Sequence, residues 1–114
     1  MSRGDLVTVV LPGTYGKPRP ALLIQDDAFE ELPSATILPI TSRLRNLPPL
    51  RIGIEPGPEI GLRIPSQVQI DKLMTVPRGK IGNRIGALDE ATMERVEEAL
   101  AGFLGLRKPS GESS

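Results

Sequence analysis

Lys17-Pro18-Arg19-Pro20 is the stretch of this chain whose residue types and spacing bear most directly on chemistry. A residue that precedes proline is pushed out of the helical region into extended backbone. Lys17 precedes Pro18 and Arg19 precedes Pro20, so both cations ride on a stiff, extended segment entering an apolar run. Much of Arg19's backbone freedom is lost before any ligand arrives, and the planar fork of guanidinium donors matches two oxygens of a phosphate. Mounted in this way, Arg19 suits the stabilisation of negative charge that develops during a reaction. A second group is Pro39-Ile40-Thr41-Ser42-Arg43, where two hydroxyls stand beside a guanidinium at the end of an apolar run. Hydroxyls bond phosphate or ribose oxygens, and they are also common turn residues. A third is Pro65-Ser66-Gln67-Val68, in which Ser66 and Gln67 open another run. With one Tyr, two Phe and no Trp, extensive base stacking is not available, and Tyr15 is the one platform for it.

The chemistry left to such residues is narrow. The chain has no His and no Cys. Imidazole acid–base catalysis, Ser-His triads, thiolate nucleophiles and His or Cys metal sites are therefore excluded. Arginine, lysine, carboxylates, hydroxyls and amides remain, and neither a metal nor a cofactor is expected. Among the carboxylates, Asp5 and Asp71 are the candidates for a general base. Gly79-Lys80-Ile81-Gly82 has the spacing of a backbone-clamping loop but, without that loop's context, reads as a turn. Arg3-Gly4-Asp5 reads as the start of a strand.

The elements that must position these groups are short. Twelve Gly and twelve Pro are scattered through 114 residues as punctuation. Between them lie runs rich in Ile, Leu and Val at 6–11, 21–25, 36–41, 50–55, 67–76 and 80–85, which read as five or six strands. Period-two alternation is clearest where Val68 and Ile70 interleave with Gln67, Gln69 and Asp71. Pro39 inside the third run predicts an edge strand or a bulge. From 89 to 104 the pattern changes: Met93, Val96, Leu100 and Phe103, with Leu104, fall on one helical arc. Asp89 is its predicted N-cap and Gly105 its stop, and Glu90, Glu94 and Glu98 form an acidic ridge beside it. The expectation is a mainly β (α+β) domain over 1–106: a small barrel or strongly bent sheet with a C-terminal α-helix. Residues 107–114 read as a disordered tail. No run is long enough for a membrane span and no signal-peptide pattern opens the chain, so a prokaryotic cytoplasmic location is expected.

Fourteen basic and fourteen acidic residues cancel, but they are segregated. Residues 35–54 hold Arg43, Arg45 and Arg51 with no acid, and 60–84 hold Arg63, Lys72, Arg78, Lys80 and Arg84 against Asp71 alone. Acid concentrates at Asp26, Asp27, Glu30 and Glu31 and on the helical stretch. If loops 12–20, 41–51 and 61–66 gather at one end of a barrel, that end attracts phosphate.

Taken in order, these landmarks resemble the MazF/PemK family of toxin endoribonucleases. They are Arg3-Gly4-Asp5, Gly16-Lys17-Pro18-Arg19-Pro20-Ala21, Leu38-Pro39-Ile40-Thr41-Ser42, Gly61-Leu62 leading into Pro65-Ser66-Gln67-Val68, and Ile85-Gly86-Ala87-Leu88-Asp89. The likeness spans about residues 2–106. It implies an SH3-like (PemK-like) β-barrel, a homodimer, metal-independent and sequence-specific cleavage of single-stranded RNA, and inhibition by a cognate antitoxin. Residue by residue it implies that Arg19 and Thr41 are catalytic and that Ser42 and Gln67 lie near bound RNA. Tyr15, Lys17, Arg43 and Ser66 complete the candidate substrate-binding set. Some members carry a histidine in the first loop and an acid where Ser66 stands. This chain has neither, and the resemblance assigns it no general base. A different class stays open on the same barrel: a non-catalytic toxin that poisons a protein such as gyrase, or binds RNA without cutting it.

Overall fold

The computed structural model describes residues 1–106, and the tail expected over 107–114 lies outside the described residues. The strands are β1 (Asp5–Val10), β2 (Pro18–Leu23), β3 (Ser34–Thr41), β4 (Arg51–Ile54), β5 (Ser66–Gln69), β6 (Met74–Pro77) and β7 (Ile81–Ala87). They form one seven-stranded antiparallel sheet in the order β4-β5-β3-β2-β1-β7, with β6 also paired to β3.

Alternation of apolar residues drives both faces out of water. Leu6, Leu22, Leu38, Ile40, Ile52 and Val68 point to one side, where they meet Met93 and Val96 of the helix. Val7, Val9, Ala21, Leu23, Ala35, Ile37 and Val76 point to the other. Val76 on β6 and Ile81 on β7 pack into this second cluster although their strands sit on different sheet partners, β3 and β1. The sheet therefore curls around its second face, as a small barrel does.

Two features depart from expectation. The run 67–76 is not one strand: it breaks at a 3-10 turn over Ile70–Lys72, because Ile70 is fully buried and its N–H donates to the Leu50 carbonyl at 3.0 Å. Pro39 does not mark an edge either. Strand β3 is central, pairing β2 through 37–39, β6 through 34–37 and β5 through 40–41. Pro39 falls where β3 changes partner from β6 to β5, so the missing N–H leaves no ladder bond unmade on that side.

The helix α1 (Glu90–Leu104) begins and ends as predicted. Asp89 Oδ1 accepts the Thr92 N–H at 2.8 Å, and Gly105 closes the last turn at φ 70°. The hydrogen bonds from Thr92, side chain first and then backbone, hold the Asp89 carboxyl below its ordinary value. Met93 and Val96 are buried, with Ala99 and Leu100 packed beside them. Phe103 and Leu104, beyond the last of these contacts, are exposed. Arg3 pairs with Glu97 at 2.5 Å and ties the chain's start to this helix, whereas Glu90, Glu94 and Glu98 form an exposed ridge. No helix among the described residues is long and apolar enough to cross a membrane.

Between β4 and β5 the chain folds back on β7. The Ala87 N–H donates to the Glu59 carbonyl at 2.9 Å. Gly61, at φ 80°, lies so close that a Cβ there would run into the Ile85 carbonyl. Only glycine fits both the left-handed conformation and the approach. This clamp fixes the exit direction of residues 62–65.

Candidate functional site

Strands β2 and β3 pair with Ala21 opposite Pro39. Continued two residues outward, the same register sets Arg19 opposite Thr41, but the ladder stops short of them. Pro18 and Pro20 carry no N–H, so two donors that would extend the pairing from the β2 side do not exist. The two strands diverge there and leave an open cleft of about 510 Å³.

Residues from all three basic loops line it: Leu11, Arg19 and Pro20; Thr41, Ser42 and Arg43; Leu62, Arg63, Ile64 and Ser66, with Gln69 at the side. Arg19 and Thr41 occupy the face of β2 and β3 that carries Ala21, Leu23 and Ile37 further along. Where that face stops being apolar, a guanidinium and a hydroxyl take over. The guanidinium groups of Arg19, Arg43 and Arg63 form no hydrogen bond or ion pair with any described residue. Their charge is available to a ligand.

Thr41 is oriented. Its Oγ1 accepts the Arg43 N–H at 3.0 Å, which leaves its own proton free to donate elsewhere. Ser66 is buried and its hydroxyl donates to the Ile64 carbonyl at 3.1 Å, so it holds the turn. Gln67 stands outside the cleft lining, and its amide is engaged by Arg45 and Arg51. Tyr15 and Lys17 also lie outside the lining, on the fully solvated β1–β2 connection. There Tyr15 at φ 54° and Gly16 at φ 79° make a tight turn closed by the Lys17 N–H to the Thr14 carbonyl, 3.0 Å. A left-handed tyrosine is uncommon, and this one holds its ring entirely in water.

Among the described residues, no carboxylate lines the cleft. Asp5 is four residues along β1 from Val9, the partner of Arg19, or about 13 Å away. It is also occupied, pairing with Arg84 at 3.0 Å and accepting the Ser2 N–H at 2.7 Å. Asp71 sits in the 3-10 turn beyond β5, outside the lining. Among the described residues no cluster of three or more acidic side chains could hold a metal ion. Arg63 and Gln69 were not singled out from sequence as site residues. Arg63 was visible only as charge in the third loop, and Gln69 only as the polar phase of an alternating strand.

A curled antiparallel sheet whose open end presents three arginines without a partner among the described residues, beside an oriented hydroxyl, makes a small β protein with a basic cleft at that end. The chain belongs to the PemK-like, MazF-like toxins of type II toxin–antitoxin systems, whose family model matches residues 2–104. It is 48% identical over 107 residues to a probable endoribonuclease MazF of Mycolicibacterium smegmatis, a match covering 93% of this chain and 98% of that one. Among solved structures it is similar to the Mycobacterium tuberculosis toxin MazF-mt6, with TM-score 0.79, 26% identity and coverage of 91% and 99%. A mycobacterial endoribonuclease in complex with its cognate antitoxin shares the fold at TM-score 0.76 and 24% identity, with coverage of 96% and 99%.

Proposed function

We propose that this MazF-family endoribonuclease cuts single-stranded RNA with the substrate's own 2′-hydroxyl as nucleophile and with no metal. The observation that carries this reading is that Arg19 and Thr41 line one cleft, which among the described residues no carboxylate borders. RNA supplies the nucleophile, so the protein has to align it and to stabilise charge. The 2′-oxygen bonds to phosphorus as the P–O5′ bond breaks. The hydroxyl proton passes to solvent, and the departing 5′-oxygen takes a proton from water. Arg19 bridges the non-bridging oxygens, which gain charge in the transition state. The free Thr41 proton donates to one of them.

Arg43, Ser42 and Arg63 bind the flanking phosphates, and Tyr15 and Lys17 meet the strand as it leaves the cleft. Splayed bases then read sequence by hydrogen bonds to their edges. A homodimer in the cytoplasm, with the antitoxin covering the cleft, completes the reading; light scattering reads the dimer. The decisive experiment incubates the purified protein with a long unstructured RNA in excess EDTA. Discrete fragments ending in a 2′,3′-cyclic phosphate are expected. One deoxyribose placed 5′ to the cut should abolish cleavage and preserve binding. A mobility shift without fragments would overturn the nuclease reading in favour of a non-catalytic binder.

A further inference from the structure

Gln67 was a candidate RNA contact, but its hydrogen bonds run inward. Its Oε1 accepts the Arg45 N–H at 3.1 Å and Arg51 Nη1 at 2.9 Å, and its Nε2 donates to the Arg45 carbonyl at 3.0 Å. Both ends of the amide are therefore occupied by the 42–50 connection and the strand that follows it. Arg51 Nη1 also donates to the Arg43 carbonyl at 3.2 Å. The Arg43 N–H in turn donates to Thr41 Oγ1 at 3.0 Å. A relay thus runs from Gln67 through Arg51 to the Arg43 carbonyl and, across that residue's backbone, from the Arg43 N–H to the Thr41 hydroxyl in the cleft with Arg19.

The register explains why the relay exists. Gln67 is opposite Thr41 on one side and opposite Gly53 on the other, and Arg51 lies opposite Gln69. Thr41, Gln67, Gln69 and Arg51 consequently share one face of the sheet. Gly53 has no side chain to compete for the space between Gln67 and Arg51. The connection from 42 to 50 has no regular structure of its own and exposes Leu44 and Leu47 to water. Its shape beside Thr41 is set by these side-chain bonds.

We propose that Gln67 and Arg51 are positioning residues. They hold the Arg43 backbone so that Thr41 keeps its acceptor side bonded and its proton aimed into the cleft, and Gln67 does not contact RNA. This rests on the reading of Thr41 as catalytic. A displacement of about 1 Å in an aligned group costs on the order of 100-fold in rate. Gln67→Ala should therefore lower the single-turnover rate between ~10- and 100-fold. Affinity for an uncleavable oligonucleotide, deoxy-substituted at the cut, should change less than ~3-fold.

Three measurements test this on the full chain. The first is a double-mutant cycle with Thr41→Val, which removes the hydroxyl and keeps the shape. If Gln67 acts through that hydroxyl, adding Gln67→Ala to Thr41→Val lowers the rate no further. Additive losses, or a fall in affinity equal to the fall in rate, would overturn the proposal and return Gln67 to the RNA surface. The second is Gln67→Glu, which keeps the acceptor for Arg51 and the Arg45 N–H; it should retain more of the rate than Gln67→Ala, and equal losses would count against the relay. The third needs no activity. Amide hydrogen exchange at Arg43 and Arg45 should accelerate at least ~10-fold in Gln67→Ala, while Leu22 and Leu38 in the β2–β3 ladder stay protected. Unchanged exchange at Arg43 and Arg45 defeats the relay. Accelerated exchange in a protein that cuts no RNA would uphold the relay while the nuclease reading fails.

Discussion

Gly61→Ala probes the clamp that sets the far wall of the cleft, and its effect can be worked from the backbone. The added methyl would run into the carbonyl of Ile85. That carbonyl belongs to β7, which is held along β1, so the strand cannot retreat without breaking its ladder. The loop gives way instead. Detachment removes the Ala87–Glu59 hydrogen bond, worth about 1 kcal/mol net. It also exposes Ile60 and Leu62, which are partly buried against the core. Half of the ~1.5–3 kcal/mol for burying such a side chain is about 1 kcal/mol each. The sum is about 3 kcal/mol. Keeping the loop seated would instead retain the clash and add ~1 kcal/mol for a left-handed alanine, so detachment is the cheaper route. At ~4 °C per kcal/mol for a domain of this size, the melting temperature should fall by about 12 °C. The assay is thermal melting by circular dichroism at one fixed protein concentration. Gly102→Ala serves as control: that glycine lies in α1 with open space around it, and alanine there should stabilise by up to ~1 kcal/mol. A Gly61→Ala protein melting within ~3 °C of wild type would refute the clamp.

Arg19→Lys should lower cleavage at least ~100-fold with the fold intact, since a lysine keeps the charge but not the paired donors; a near wild-type rate would remove the two-oxygen role. With no carboxylate in the cleft among the described residues and Asp5 bound to Arg84, the single-turnover rate should climb about tenfold per pH unit through neutrality. A limb levelling near pH 6.5 would require a protein base that the cleft does not hold. Asp89 has a folded pKa below its ordinary 3.8, so its contribution to stability is full above that value and is lost as pH falls through the lowered pKa. The difference in melting temperature between wild type and Asp89→Ala should be constant from about pH 5 to 7 and shrink below 3.8; a difference unchanged at lower pH would show that the Thr92 bonds do not select the ionised form.

Local chemistry carried most of what the sequence disclosed. Leu6, Val7 and Val9 alternate because each must find a core on its own side of the strand, and that requirement is written in period two. Asp89 and Gly105 bound the helix through contacts within a few residues of themselves. Arg19 was legible because its mounting is two neighbouring prolines. What remained hidden depends on residues far apart in sequence. Pro39 looks like an edge residue until β6 and β5 are seen to share one side of β3 and leave a gap beside it. Ile70 interrupts its strand on account of Leu50, twenty residues away. Phe103 continues a helical arc whose contacts with the core end at Leu100. Gln67 has the polarity of a ligand contact, and only the folded register brings Arg45 and Arg51 to both ends of its amide.

The prolines at 18 and 20 have a further thermodynamic effect. A cleft between two neighbouring strands would ordinarily coexist with a zipped form, in which the ladder runs on and the site is shut. A ligand would then bind only the open fraction, and its apparent affinity would be reduced by that fraction. Here the two β2 donors that would zip the strands are absent from the covalent structure. The shut form loses those bonds, which shifts the population toward the open, binding-competent form. Whatever restrains this protein must compete for an open site, by its own concentration and residence time.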